Sequence, residues 1–444
     1  MSKPDYDVII VGGRPAGASL AIRLAQQKLN VLVVDRATFP SRPAVASSPI
    51  IYEGTMKMLD ELGLKEEDYA LPGSRANQMV MDMVGHYAVV MPFAQLGLER
   101  SYIRGLDRAH FDNTVWKHME SHTPYVTTRQ GFGMSDIIKD ESGKVVGIVG
   151  KSGKGVEERF TADLVVGADG RFSNSARKFG AKMVEERNEF TTGGYEAQWE
   201  GVLPYAEGMS TEACLYNTAR GFVIIFMPVS HGRYYVGAYM RSQDAQRGSQ
   251  TPQEFYLDQL KRIPQAWKRL QNARQIEEIE GIRPVENAYR EAYGQGWALV
   301  GDAFHYKDPL DGQGIYDALT ETKLLAEAIG QWKSGQITWE QAGALYKENA
   351  WAATHDMFNM TTSRVHREMH TFPPNPIINS VIKWMLNDPG YQTKLLRALA
   401  RVGDPAEVPT SPSLGMIWRG IVRSFGSGGK QAAIPQPTLI EAPK

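Results

Sequence analysis

The hydrophobic pattern of the chain opens on an unbroken apolar run, Val8 to Val11 in "YDVIIVGG", that stops at two glycines. Continuous apolar character over so short a span predicts a strand buried on both faces and feeding a turn. Beyond the turn Leu20, Leu24 and Ala25 recur at helical spacing, the pattern closes at Asn30, and "VLVVD" starts a second buried strand. This is the pattern of a βαβ unit. From Gly193 to Arg241 the texture changes to the strand-length pieces "EAQWEGVL", "GFVIIFMPV" and "RYYVGAYMR", parted by Gly, Pro and polar breaks. They predict an antiparallel sheet inserted between two halves of the α/β domain. After "WALVGDAF" helical periodicity takes over, in "IYDALTETKLLAEAIG" and along Trp339 to His370, with a stop expected at Pro373 and Pro374. The closing "GSGGKQAAIPQPTLIEAPK" has the composition of a mobile tail.

Three strand-to-turn segments carry candidate chemistry. In "VGGRPAGAS", Gly12 and Gly17 hold the first and third glycine positions of a dinucleotide fingerprint. The first glycine makes the tight turn and the third lets helix and strand pack closely. Arg14 stands where a second glycine would let the backbone approach a pyrophosphate. Asp35, ending "VLVVD", is the acid expected about twenty residues on, placed to accept from ribose hydroxyls. "DLVVGADGRFSNSAR" joins an apolar strand to a turn with Asp169, Gly170, Ser173 and Arg177. "WALVGDAFHYKDPLDGQGIYDAL" joins another to Gly301 and Asp302, then sets Pro309, Gly312, Gln313, Gly314 and Ile315 at the start of a helix. That helix would aim unpaired N–H groups and its positive dipole end at an anion in the loop.

In this order and spacing the three motifs resemble the FAD-dependent monooxygenases and reductases of the para-hydroxybenzoate hydroxylase and geranylgeranyl reductase type, over Tyr6 to Gly330. The first loop is similar to a subgroup with G-x-R-x-A-G. The resemblance implies an α/β fold: a Rossmann-like FAD-binding domain with a parallel sheet, an inserted antiparallel-sheet substrate domain and a helical C-terminal region. The corresponding division is 1–80, 106–190 and 291–335 for FAD binding, 81–105 and 191–290 for the substrate domain, 336–425 for the helical region and 426–444 for the tail. It further implies that Gly12, Gly13, Arg14, Ala16 and Gly17 surround the FAD pyrophosphate and that Asp35 holds the adenosine ribose. Arg36 and Arg42 would lie beside the adenosine and phosphates, and Arg108 against the flavin side. Asp169, with Gly170 and Ser173, would fix the cofactor loops. Asp302, beside Gly301, would bond a ribityl hydroxyl. The helix starting at Gly314 would stabilise the anionic reduced flavin, with Gly312 and Gly314 leaving room for the ring.

Two readings of Arg14 follow. Either the turn suits any residue and the side chain is solvated, or the guanidinium adds charge at the pyrophosphate or flavin edge. Lys307 is the candidate catalytic cation beside the flavin, against the plainer reading of an exposed lysine. His305 reads as a loop-fixing hydrogen bonder rather than a base. Tyr195, Trp199, Phe226 and Tyr239 are candidate walls for a small apolar or aromatic substrate between flavin and inserted sheet. No second glycine-loop nucleotide unit follows, since "GIVGKSGKG" reads as a hairpin. Reductant is therefore expected as transient NAD(P)H or from a partner reductase. Halogenases of the family carry W-x-W-x-I-P. Aligned on Pro228, Val223 and Ile225 stand at the tryptophan positions, so halogenation is not expected.

Composition narrows the picture further. Of 444 residues 42% are hydrophobic and 22% charged, with a formal net charge of −1, which leaves no global argument for nucleic acid. One cysteine rules out an internal disulfide framework, and the N-terminus lacks a secretory pattern, so a cytoplasmic protein is expected. His366 and His370 in "HREMH" lack the placement of a zinc helix, and no metal is expected. In "LGMIWRGIVRSF" Leu414, Ile417, Trp418, Ile421, Val422 and Phe425 form one apolar stripe. It either docks on its own protein or lies on a membrane surface as a peripheral contact through 414–425. The expected activity is oxygenation of an apolar or aromatic small molecule by reduced flavin and molecular oxygen. The alternatives are reduction of an isoprenoid-like double bond and a non-enzymatic flavin-binding protein.

Overall fold

The computed structural model describes residues 3–44, 47–153, 155–209, 211–218, 220–282, 284–371, 376–409 and 413–426. The chain begins with β1 (Tyr6–Val11), α1 (Pro15–Gln26) and β2 (Val31–Val34). It then leaves for a second sheet as the hairpin β3 (Gln78–Met83) and β4 (Tyr87–Pro92). α2 (Arg108–Glu120) brings it back to β5 (Val126–Arg129) and β6 (Glu157–Gly167). Next come β7 (Thr192–Glu200), β8 (Glu212–Asn217), β9 (Phe222–Ser230) and β10 (Arg233–Arg241), followed by α3 (Pro252–Lys261) and α4 (Pro264–Leu270). β11 (Trp297–Leu299) returns to the first sheet and leads to α5 (Gly314–Lys333), α6 (Trp339–Val365), α7 (Pro376–Asn387), α8 (Pro389–Leu399) and α9 (Leu414–Gly426).

The first sheet orders its parallel strands β11-β6-β1-β2-β5, with β1 central and Val8, Ile9 and Ile10 wholly buried. This is why β1 and β2 read as continuous apolar runs: both faces are covered, and Leu20 and Leu24 of α1 share one core with Phe132, Val145 and Ile148 from the antiparallel strands Phe132–Lys139 and Val145–Ser152. Every strand that carries a candidate motif, β1, β6 and β11, ends at the same edge, so three loops far apart in sequence meet at one crevice. A hairpin, Val145–Ser152 against the start of β6, occupies the "GIVGKSGKG" segment.

The second sheet orders β7-β10-β9-β8-β3-β4. It differs from the sequence expectation in one pairing: β8 runs parallel to β3, so the sheet is mixed rather than wholly antiparallel. Alternation of side chains is the same for both pairings, and only hydrogen-bond direction separates them. One face, with Trp199, Phe226 and Val236, packs on Phe255, Tyr256 and Leu260 of α3. The other, with Val223, Ile225, Met227 and Tyr239, packs on Val365, Leu395 and Leu396 from α6 and α8.

α6 passes into a π-helical turn at His366–His370, and both histidine rings lie against Phe190, His366 at 4.1 Å. The described residues hold no cluster of metal-ligating side chains. The expected stop at Pro373 and Pro374 and the tail from 427 lie outside the described residues. α9 leaves Leu414, Trp418 and Val422 exposed at 87%, 68% and 53%, so its stripe docks only in part. No described helix is long and apolar enough to cross a membrane.

Candidate functional site

The three loops enclose a cleft of about 600 Å³, a size proper to cofactor and ligand sites. In the first loop Gly12 has φ +106°, and a Cβ there would stand 2.4 Å from the Ala168 carbonyl oxygen. A Cβ on Gly17 would stand 1.8 Å from the Gly12 carbonyl oxygen, so the third glycine is what lets α1 lie against β1. Gly13 abuts the Trp116 ring, and its N–H donates to Asp35 Oδ2 at 2.7 Å while Ala37 N–H donates to Oδ1 at 2.7 Å. Asp35 therefore ties the glycine loop to the end of β2, at the edge of the cleft.

Arg14 bears out the backbone half of the first sequence reading and not its solvated side chain. Its backbone is ordinary extended chain (φ −78°, ψ −172°), which is why a glycine is dispensable there. The side chain is only 22% exposed. Its guanidinium pairs with Asp112 and donates to the Ser41 carbonyl at 3.1 Å and the Arg42 carbonyl at 2.6 Å. Asp112, fully buried, also takes Arg108 at 3.0 Å, and Arg108 donates to Ser47 Oγ at 2.6 Å. Arg14 thus fastens the start of α1 to α2 and to the segment after β2, a structural role at the cleft wall.

In the second loop Asp169 accepts from Ser173 Oγ at 2.5 Å and from Ser175 N–H at 2.9 Å, which closes the turn over Gly170 (φ +82°). In the third, Gly301 (φ +60°) donates its N–H to Glu321 at 2.6 Å, and Glu321 also holds buried His305 at 3.1 Å. Burial drives the His305 pKa well below its usual range, so the ring is neutral. Asp302 is open to the cleft but otherwise enclosed. Burial raises its pKa, against the pull of Arg171, Lys307 and Arg108. Ala16, Arg36, Pro309, Gln313, Gly314 and Ile315 line the same space. Gln313 provides no side-chain cap for α5, so the first amides of that helix face the cleft unpaired.

Several sequence expectations are corrected. Lys307 lines the cleft but is neither exposed nor free: its ammonium is buried against Asp317, which Arg401 pairs from the other side. Arg42 turns away from the cleft to Glu277 and Glu280. Tyr195, Trp199 and Phe226 lie on the far face of the second sheet. Tyr195 meets Phe255, Trp199 donates to the Tyr256 hydroxyl at 3.0 Å, and Phe226 lies under Arg269. Tyr239 is on the near face but bonds Tyr235 and Glu196 rather than lining the cleft. The alternation that named these aromatics cannot say which parity faces a cofactor.

Sequence reasoning missed Arg171. It is 9% exposed, lines the cleft, and its Nε and Nη2 have no hydrogen-bond partner among the described residues. Its place directly after the Asp169-Gly170 turn was the available signal. A buried guanidinium with two nitrogens unpartnered among the described residues, uncapped helix amides and glycines at the points of close approach fit a phosphate-bearing cofactor with an electron-rich ring.

Known proteins agree with this geometry. The FAD binding domain family matches residues 5–342. The chain belongs to that family; it is an FAD-dependent oxidoreductase, with FAD as its cofactor. A digeranylgeranylglycerophospholipid reductase of Methanospirillum hungatei JF-1 is 28% identical over 396 residues, covering 87% of this chain and 92% of the relative. The flavin-dependent brominase Bmp2 shares the fold at TM-score 0.76 and 19% identity, over 95% of this chain and 98% of that one. PqsL of Pseudomonas aeruginosa, described as a probable FAD-dependent monooxygenase, shares it at TM-score 0.65 and 18% identity, over 82% and 97%.

Replacing Arg171 by Met should have opposite effects on the two forms. The apoprotein should gain roughly 1 to 3 kcal/mol, because two unsatisfied buried donors are removed, while FAD affinity should fall about tenfold. Thermal unfolding of the apoprotein and a flavin fluorescence titration read the two; unchanged affinity would show that Arg171 does not meet the cofactor.

Proposed function

We propose that the enzyme is a monooxygenase that hydroxylates or epoxidises an apolar or aromatic small molecule. One observation carries the reading: the cleft borders a buried apolar layer. Val285 lines the cleft and belongs to the buried cluster of Val223, Ile225, Met227, Met79 and Met91 on the near face of the second sheet. Methionines give such a layer an adaptable surface, and a dry wall protects oxygen chemistry from side reactions with water. Bound FAD supplies the redox chemistry. The chain's part is to hold it, with Asp35 at the glycine loop, Asp302 at the ring end, and Arg171 and the α5 amides as positive partners. NAD(P)H or a partner reductase would supply electrons. The aliphatic Val223 and Ile225 speak against halogenation.

A second reading, reduction of an isoprenoid-like double bond, is favoured by the alignment with the reductase over 87% of this chain. The two separate in one experiment. Holoenzyme is reduced anaerobically, then offered isotopically labelled dioxygen together with aromatic and isoprenoid compounds. Label in the product supports the monooxygenase; saturation of an alkene without oxygen overturns it in favour of the reductase.

A further inference from the structure

The near face of the second sheet holds a buried cluster that cofactor binding does not use. Glu196 on β7 stands opposite Gly237 on β10. A Cβ on Gly237 would come within 2.6 Å of the Tyr239 ring and 2.9 Å of the Tyr235 hydroxyl, so the bare glycine lets both phenols lean together over the carboxyl. Tyr235 donates to Glu196 Oε2, the two hydroxyls bond each other, and Tyr239 reaches the same oxygen at 3.2 Å. All three side chains are buried. Oε1 takes no hydrogen bond from a described residue and is left for the small cavity that Glu196 lines.

That cavity, about 40 Å³, also touches Gln198, Tyr235, Ser47 and Arg108; it has room for a water or two between polar partners. Ser47 and Arg108, hydrogen-bonded to each other, line the cofactor cleft as well, so the cavity and the cleft meet at these two side chains. Its outer rim is Arg42, paired with Glu277 and, at 3.5 Å, with Glu280. Burial pushes the Glu196 carboxyl up to about 8; Glu280 adds to this, while the tyrosine bonds and Arg42 oppose it. It is an acid that keeps its proton at neutral pH.

We propose that Glu196, seated on Tyr235 and Tyr239, stores a proton for the cofactor cleft and exchanges it through water in the side cavity. When the cleft gains negative charge on reduction, the Glu196 O–H gives its proton to a cavity water. That water releases a proton past Ser47 and Arg108 into the cleft. The carboxylate left behind takes a proton from solvent at the Arg42 rim, so the chain returns to its starting state with one proton moved inward. This goes beyond the oxygenase or reductase reading and depends on neither.

The test uses holoenzyme and no substrate. Reduced methyl viologen, whose oxidation releases no proton, reduces the bound FAD in an anaerobic stopped-flow cell while a pH-indicator dye follows proton uptake. In wild type, uptake keeps pace with bleaching of the flavin. In Glu196→Gln, which retains both tyrosine hydrogen bonds, uptake should lag at least about tenfold, with FAD affinity and unfolding temperature unchanged, and added formate should restore it. Tyr235→Phe, which leaves the carboxyl but cuts its support, should lag by less and decides the matter if the first variant fails to hold FAD. Uptake at the wild-type rate in the variant tested, or a lag that formate does not relieve, overturns the proposal.

Discussion

Gly314→Leu should yield a folded protein that no longer binds FAD. Gly314 is the first residue of α5, exposed to the cleft, and a Cβ built on it meets no described residue within 4 Å. Its φ is not in the left-handed region, so a leucine adopts the same backbone without strain. Leucine is also the better helix former, by up to about 1 kcal/mol. The apoprotein should therefore unfold at the wild-type temperature or slightly above. The new side chain would project into the cleft that the three loops enclose. A loss of at least about 100-fold in FAD affinity is expected, close to 3 kcal/mol, read by fluorescence titration and by the absence of yellow colour after purification. Gly17→Ala would not serve, because its Cβ would strike the Gly12 carbonyl and part α1 from β1, confounding cofactor loss with damage to the fold. A yellow Gly314→Leu protein would mean that the flavin ring does not approach the start of α5.

What the sequence revealed, and what it hid, follows from the range of the interactions involved. The glycine loop, the Asp169-Gly170 turn and the start of α5 were legible because each is settled locally. A buried strand ends, a glycine takes positive φ, and a helix begins within a few residues, as at Gly12, Gly301 and Gly312. Side chains whose partners lie far along the chain were not legible. Arg42 is claimed by Glu277 and Glu280, and Lys307 shares Asp317 with Arg401, 84 residues beyond that aspartate. In the second sheet, alternation separates Glu196 from Tyr195 and Ala197, but only the docking of α3 on one face and α8 on the other decides which set meets the cofactor side. Arg14 combines the two cases. Its ordinary φ was foreseeable from the loop, whereas its anchor, the buried carboxylate of Asp112, sits 98 residues downstream.

The Lys307–Asp317–Arg401 group makes the last expectation a matter of stability. Asp317 receives Lys307 on one carboxylate oxygen and Arg401 on the other, and the three side chains are 4%, 4% and 6% exposed. Arg401 also donates to Gln313 at 2.8 Å, and Gln313 donates to the Leu399 carbonyl at 3.0 Å, so the group fastens the start of α5 to the end of α8. Asp317→Asn keeps the shape but leaves two buried cations without their anion, which should cost about 3 to 5 kcal/mol at pH 7. Burial alone would raise the Asp317 pKa; Lys307 and Arg401 more than offset it, and the net shift is downward. A carboxyl whose folded pKa lies below its unfolded value stabilises the fold fully above the unfolded value, near 3.9, and progressively less as pH falls towards and through the folded one. Urea unfolding of wild type and Asp317→Asn should therefore show the full gap at pH 7 and a narrowing gap below about pH 4. Equal stability at pH 7 would mean that Lys307 and Arg401 find other partners, and a gap that widened in acid would reverse the sign assigned to Asp317.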